Sequence, residues 1–309
     1  MSKNEKIYEV ITQKVIARLE DAIDENKNFH WVKGWSGLAT ANAIMWKRNN
    51  TRYRGINALL LDGLYITYKQ LQEFQIRHPE QQFKIKKGCH QETVYFYKFS
   101  KIKEEVEQPD GSMKTETKTI PLMRFYNVFS INDIEGLSDY FKVEEYEHTL
   151  NDKMLEADKV IEDYCLRDNL KLEVDKGSDR CFYRPSSHLV NVPDKSQFKS
   201  VYEYYSSLFH ELVHSSSKSL NRELGLGFGS EKYSKEELVA EIGSQMLMSY
   251  FGLDIEDTNV FNNSIAYLQG WLGHIKDSDV SFIVLAANQA TKACDIILNQ
   301  LYEASEEVA

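Results

Sequence analysis

His210-Glu-Leu-Val-His214 decides how the carboxy-terminal half of this chain is read. Positions i and i+4 of an α-helix project from one face, so two imidazoles at this spacing reach one metal ion, each ring nitrogen about 2 Å from it. Glu211, beside the first histidine, faces a water on that metal and is the group to take its proton. The surrounding residues support a helix from 200 to 214. Val201, Tyr204, Tyr205, Leu208, Leu212 and Val213 recur at helical spacing, and the pentad fills the last turns. The competing reading is a pair of histidines hydrogen-bonded at a helix end, where the macrodipole favours imidazolium.

A hydrolytic zinc site keeps one open position and takes three protein ligands. Acidic candidates for the third stand in Ser234-Lys-Glu-Glu-Leu-Val-Ala-Glu241. Leu238, Ile242, Met246, Leu247 and Tyr250 continue as a second helix up to Gly252, a residue suited to the C′ position. Glu237 and Glu241 lie one turn apart on it. With Glu237 on the metal, Glu241 is placed to accept a hydrogen bond from a liganding histidine and fix its ring. A local alternative stays open, because Ser234 and Glu237 also spell an S-x-x-E capping box. The pattern as a whole belongs to zinc-dependent peptide hydrolysis, with Glu211 as general base and then acid.

Upstream, Cys181-Phe-Tyr-Arg-Pro-Ser-Ser-His-Leu-Val-Asn-Val-Pro193 holds strand formers between prolines and reads as an edge strand or hairpin. An edge of this kind takes an extended peptide by strand addition, or it is an ordinary edge protected by its prolines. Donors for a transition-state oxyanion are harder to select. His274, Tyr183, Tyr233 and Tyr267 are available, but 18 tyrosines make any one a weak choice. Cys181 is an outside candidate for metal contact without ligand spacing around it.

Several of these landmarks occur together in a known family. The stretch 181–193, Tyr204-Tyr205 leading into the pentad, Phe228-Gly-Ser230, Glu236 to Glu241 and Tyr267-Leu-Gln-Gly-Trp271 resemble the zincin-like metallopeptidase domain of the ArdC antirestriction family, over about 150 to 300. The resemblance implies that His210, His214 and Glu237 bind the metal, zinc or another divalent ion.

The amino-terminal half has a different character. The chain has 309 residues and a formal charge of −10, yet residues 27–103 carry +10 and the remainder −20. An asymmetry of this size points to an anionic partner for one part. Aromatics such as Trp31, Tyr53 and Tyr68 are interleaved with the cations, as in grooves that follow phosphates while bases stack on ring faces. The competing reading is a small core that uses its aromatics for packing. Arg52-Tyr-Arg-Gly-Ile-Asn57 sets a glycine between guanidinium groups able to grip phosphate, and Lys84-Ile-Lys-Lys-Gly88 gathers Lys84, Lys86 and Lys87 in one loop. Asn50 to Asn57, Thr67-Tyr-Lys69 and Lys86-Lys-Gly88 also resemble the amino-terminal, single-stranded-DNA-binding domain of the ArdC family, although Asn50, Thr51 and Arg52 stand closer to Tyr53 than the family spacing. Arg52, Arg54, Lys69, Lys84, Lys86, Lys87, Trp31, Tyr53 and Tyr68 are therefore the candidate DNA contacts.

The organisation that follows is α+β with two domains. An amphipathic helix from Ile7 to Ile23 opens the chain, with Ile11, Val15, Ile16 and Leu19 on one face. Strands at Val94–Phe99 and Pro121–Phe129 flank a polar insert, 103–119, whose Pro-Asp-Gly-Ser at 109–112 is a turn signal. Residues 1–131 form a DNA-binding-like domain, 132–149 an acidic linker and 150–309 a zincin-like domain with the HExxH helix. No apolar run is long enough to cross a bilayer, and the start lacks a signal peptide's apolar core. Cys89, Cys165, Cys181 and Cys294 show no C-x-x-C pair, which fits reduced thiols in the cytoplasm. The resemblance implies protection of incoming mobile DNA from restriction, with single-stranded DNA and a peptide as partners. Two other functions stay open: a DNA-binding protein with a non-proteolytic structural metal, and an intracellular zinc peptidase with no nucleic-acid role.

Overall fold

A computed structural model describes residues 3–24, 41–44, 47, 52–61, 63–107, 113–141, 149–224, 231–253 and 281–300. Helix α1 (Lys3–Asp24) buries Ile7, Ile11, Val15 and Ile16, the stripe that helical spacing selects. Strand β1 (Ala41–Asn42), short helix α2 (Ile56–Leu60) and strand β2 (Leu64–Ile66) follow. Helix α3 (Tyr68–Arg77) starts at a capping box, in which the Thr67 hydroxyl accepts from the Gln70 amide and the Gln70 side chain accepts from the Thr67 amide.

Strand β3 (Lys84–Ile85) leads to β4 (Glu92–Glu107) and β5 (Met113–Ser130). These two pair antiparallel without a break, from Glu92 opposite Val128 to Glu107 opposite Met113, so the polar insert is the outer half of one long hairpin. The four-stranded sheet has the order β1-β2-β5-β4. Strand β6 (Ile134–Glu135) pairs with β3, and Ile134, Leu137 and Phe141 are buried with Ile66, Leu71 and Phe129. The assignment of a linker from 132 therefore needs correction: through Phe141 this stretch folds onto the amino-terminal core, because its apolar residues fill that core while its acids point outward. Residues 142–148 lie outside those described.

The carboxy-terminal half contains α4 (Leu150–Arg167), β7 (Lys171–Asp175), β8 (Phe182–Arg184) and β9 (Leu189–Pro193). It continues with α5 (Val201–Ser215), α6 (Ser217–Leu220), α7 (Glu231–Tyr250) and α8 (Phe282–Ile297). The three strands are ordered β7-β9-β8, with β9 parallel to β7 and antiparallel to β8. Of the edge strand or hairpin expected here the hairpin forms: β8 pairs antiparallel with β9 and is an edge among the described strands, whereas β9 is central and buried at all five positions. Pro193 ends β9, where a missing amide costs no interior ladder bond.

Helix α5 is capped by Ser200, whose hydroxyl accepts from the Glu203 amide. Helix α7 packs against it at Gly243, where a Cβ would stand 2.8 Å from Val213 Cγ2, so only glycine permits this approach. Ser244 Oγ donates to the Ser206 carbonyl at 2.8 Å beside it. Past its end, Gly252 and Leu253 donate back to Ser249 and Met248 at 3.1 and 2.8 Å, the Schellman closure expected of a C′ glycine. The helix begins at Glu231, so residue 234 is an interior position and the alternative of a capping box from Ser234 to Glu237 is not taken up.

The two halves share a core. Ile7, Ile11 and Val15 of α1 and Ile56, Leu59 and Leu60 of α2 belong to the same buried cluster as residues of α5, α7 and α8. Arg52-Tyr-Arg-Gly-Ile-Asn57 is the clip between them. Arg52 lies over the Tyr250 ring, 4.9 Å from its centroid, and Arg54 pairs with Asp295. The Gly55 amide donates to Thr291 Oγ1 at 2.9 Å. The Asn57 side chain exchanges two hydrogen bonds with the Tyr95 backbone, at 2.6 and 2.8 Å. Among the described residues no helix is long and apolar enough to cross a membrane.

Candidate metal centre

Helices α5 and α7 bring His210, His214 and Glu237 together, with one donor atom from each lying within 4.8 Å of the others. The two Nε2 atoms face each other at 3.1 Å. Glu237 reaches both, Oε2 to His210 Nε2 at 3.5 Å and Oε1 to His214 Nε2 at 3.4 Å. Ligands at 2.0–2.1 Å in a tetrahedral shell stand about 3.3 Å apart, so this triangle has the size that one small divalent ion requires. The donor set of two imidazoles and a carboxylate suits zinc, and related ions of similar preference.

The opposite ring nitrogens are also placed. His210 Nδ1 lies 3.4 Å from Glu241 Oε2, and His214 Nδ1 lies 3.3 Å from Glu236 Oε1. Each ring therefore turns Nε2 to the common point and Nδ1 to its own carboxylate, the arrangement that fixes tautomer and orientation in metal sites. Glu241 lies one turn beyond Glu237 on α7. Glu236 was not foreseen, and neither was Arg222, which donates to Glu236 from Nη2 at 2.7 Å and from Nε at 3.1 Å. Helical geometry sets Glu236 about 100° round from Glu237, and only the path of the chain after α5 brings Arg222 beneath it. No sequence spacing marks that pair.

Electrostatics follow from this crowding. Burial disfavours a charged His210, but the hydrogen bonds of Glu237 and Glu241 outweigh it and raise the pKa to about 10. His214 is likewise raised against its burial by Glu236 and Glu237. Burial opposes ionisation of Glu237 and Glu236 too, and the histidines, with Arg222 for Glu236, hold both below the usual carboxylate range. Four carboxylates, Glu211 included, surround the two rings, and among the described residues Arg222 is the fixed cation that pairs with one of them. That surplus of negative charge favours a divalent cation.

Glu211 is buried on α5, and its charge helps raise both histidines. It also acts on Cys181, whose thiol burial pushes up to about 11, with Glu211 adding to the shift. Cys181 is thus a neutral thiol near the site and is not one of the converging donors. The Tyr183 hydroxyl is engaged with His188 Nδ1 at 2.9 Å, and His188 Nε2 meets Asp168 Oδ2 at 3.0 Å. Tyr267, His274 and the Tyr233 side chain lie outside the described residues. A cavity of about 370 Å³ bounded by Leu220, Arg222, Lys235, Glu236 and Phe282 touches the centre only through Arg222 and Glu236, so it does not define the site.

The candidate DNA contacts divide sharply. Tyr68, Lys69, Lys84, Lys86 and Lys87 are exposed, with Tyr68 at 55 % and Lys86 Nζ donating to the Asn132 carbonyl at 2.7 Å. Tyr53 is buried against Tyr65 and offers no ring face to a base. Arg54 is committed to Asp295 and Arg52 to Tyr250. In place of the expected phosphate grip, the segment meets the other half through Arg52 over Tyr250, Arg54 on Asp295 and the Gly55 amide on Thr291. Trp31 lies outside the described residues.

Comparison with known proteins agrees with both halves. Residues 162–289 match the zincin-like metallopeptidase family, and residues 5–129 match the N-terminal domain of anti-restriction factor ArdC. Solved structures of the antirestriction protein ArdC from plasmid R388 superpose over 94 % of this chain. The metal-free form has 27 % identity, TM-score 0.61 and 96 % of its own chain covered. The Mn(II)-bound form has 25 %, 0.63 and 97 %. Among curated relatives, an Escherichia coli DNA primase TraC is 28 % identical over 96 % of this chain, which spans only 20 % of that protein. The uncharacterized protein y4eC of Sinorhizobium fredii is 26 % identical over 94 % of this chain and 90 % of its own length.

Proposed function

Since this chain joins the N-terminal domain of the ArdC anti-restriction family to a zincin-like metallopeptidase domain, we propose that it is an antirestriction protein of a mobile element that holds single-stranded DNA and carries a zinc-dependent peptidase site. We take the DNA-holding domain to run through Phe141. The observation that carries the peptidase half is the convergence of both Nε2 atoms on Glu237 while each Nδ1 is taken by a separate carboxylate.

His210, His214 and Glu237 would hold the metal, and Glu241 and Glu236 would keep the rings aimed at it. When bound, a divalent metal supplies Lewis acidity that lowers the pKa of water and polarises a carbonyl. Glu211 then accepts the proton of the attacking water and returns it to the leaving amine. Its burial keeps that carboxylate from bulk solvent and strengthens its interaction with charge at the centre. The strand β8 packs against α5 and, among the described residues, is paired on one side only, which suits it to take an extended peptide by strand addition.

For DNA, the support is the +10 segment and the exposed set Tyr68, Lys69, Lys84, Lys86 and Lys87. Relatives named as DNA primases contain a similar region, which supports the same setting. Metal analysis of the purified chain with titration of a labelled single strand tests the reading. Near-stoichiometric zinc is expected, with affinity that falls steeply as salt rises. Glu211→Gln should keep metal and lose peptide hydrolysis, and retained cleavage would remove Glu211 from its role. A metal with four protein ligands and no exchangeable water would instead favour a structural site.

A further inference from the structure

We propose that Arg222 and Glu236 are positioning residues for the metal centre, Arg222 acting on His214 only through Glu236. The inference rests on the metal-binding reading above and adds a role for Glu236, the neighbour of Glu237 in the acidic segment, and for Arg222, which lies outside both motifs. Glu236 and Arg222 are the most deeply buried charged pair in the neighbourhood, each side chain 7 % exposed, against 24 % for Glu241. Arg222 makes four hydrogen bonds. Two go to Glu236, one from Nη1 to Ser216 Oγ at 3.0 Å, and one from Nη2 to the Val213 carbonyl at 2.8 Å.

Val213 and Ser216 flank His214 in sequence, so the guanidinium is bolted to the turn that carries the ligand. A planar fork with several fixed donors holds a carboxylate in one orientation, as an ammonium does not. Glu236 Oε1 is thereby held 3.3 Å from His214 Nδ1, which leaves Nε2 as the lone pair that faces Glu237. The same contacts offset charge. Without Arg222, Glu236 would be a buried carboxylate with His214 as its remaining charged partner, and it would compete for the proton or the metal instead of orienting a ring. Among the described residues no arginine holds the partner of His210 in this way. Its partner Glu241 is more exposed, so the two histidines are held with unequal stiffness, His214 the firmer.

The test titrates zinc into the full, metal-stripped chain against a chromophoric chelator. Glu236→Gln should lower zinc affinity about 10- to 100-fold, and Arg222→Gln should do likewise. In the Glu236→Gln background, Arg222→Gln should add less than about twofold, because its path to the metal is already cut. Affinity within twofold of the parent for Glu236→Gln overturns the proposal, as do independent, additive losses. Where a variant fails to fold, nitrogen-15 spectra of the zinc-loaded parent decide: a proton on Nδ1 of His214 is expected, and a proton on Nε2 overturns the assignment. His214→Ala separates the two readings, since unchanged zinc binding there would sink the metal centre itself.

Discussion

Arg54 and Asp295, 241 positions apart, form a two-pronged ion pair that includes Nη1 to Oδ1 at 2.8 Å and joins the basic half of the chain to its last described helix. Burial raises the Asp295 pKa, and Arg54 pulls it back only in part. Removing the guanidinium therefore strands a carboxylate that is 13 % exposed. A fully buried pair broken this way costs about 3–5 kcal/mol. With Arg54 itself 29 % exposed, solvent screening brings the expected loss for Arg54→Ala to about 2 kcal/mol. Urea denaturation measures it, and a change below about 0.5 kcal/mol would show the pair to be ornamental.

Gly55, one residue on, has φ +56° and ψ −134°, and a Cβ there would collide with the Asn288 side chain. Backbone strain in this region costs about 1–3 kcal/mol for a non-glycine residue. Gly55→Ala should lower stability by that amount while leaving zinc affinity of the folded protein unchanged. Equal stability of the variant would mean that the clip relaxes freely.

For DNA, the exposed lysines and the clip arginines should part company. Replacing Lys84, Lys86 and Lys87 with alanine removes three exposed cations. Binding of single-stranded DNA should weaken, and the slope of log affinity against log salt should become shallower by about 2. Arg54→Ala should leave that slope unaltered in the folded protein. The reverse pattern would return the phosphate grip to Arg52–Asn57.

The metal-free centre carries its own pH signature. His210 titrates near 10 when folded and near 6.5 when unfolded, so its contribution is complete below about 6.5 and is lost as pH rises towards 10. Glu237 has the opposite sense. Its folded pKa lies below the unfolded 4.5, so its contribution is present above 4.5 and is lost as pH falls towards the folded value. Metal requires deprotonated imidazoles. Thermal melts in chelator should hence decline from pH 6.5 to 9, while the gain on adding zinc grows over the same range. A gain independent of pH would show that no histidine proton is displaced.

Much of the centre was legible in sequence because it is local. The i, i+4 spacing of His210 and His214 and the one-turn spacing of Glu237 and Glu241 are properties of single helices, and the structure realises both. The capping box stayed open as an alternative because Ser234 and Glu237 satisfy the same residue pattern whether they cap a helix or lie inside it, and the helix start at Glu231 decides between the two. Ile134, Leu137 and Phe141 were read as linker because the acids around them dominate the composition, although the three apolar side chains are what pack.

The sequence by itself determined the pentad's helix, the acidic helix that answers it, the likeness of both halves to one family, and the charge contrast between them. These depend on residues a few positions apart, or on sums over the chain. Only the tertiary structure decided which basic and aromatic residues remain exposed. A guanidinium forms bidentate pairs with phosphate and with carboxylate alike, so an arginine's type does not say which it will meet. Nor did any spacing announce Arg222 and Glu236. They become partners of His214 because glycine at 243 lets α7 close on α5, and because the chain leaving α5 turns back under its own last turn.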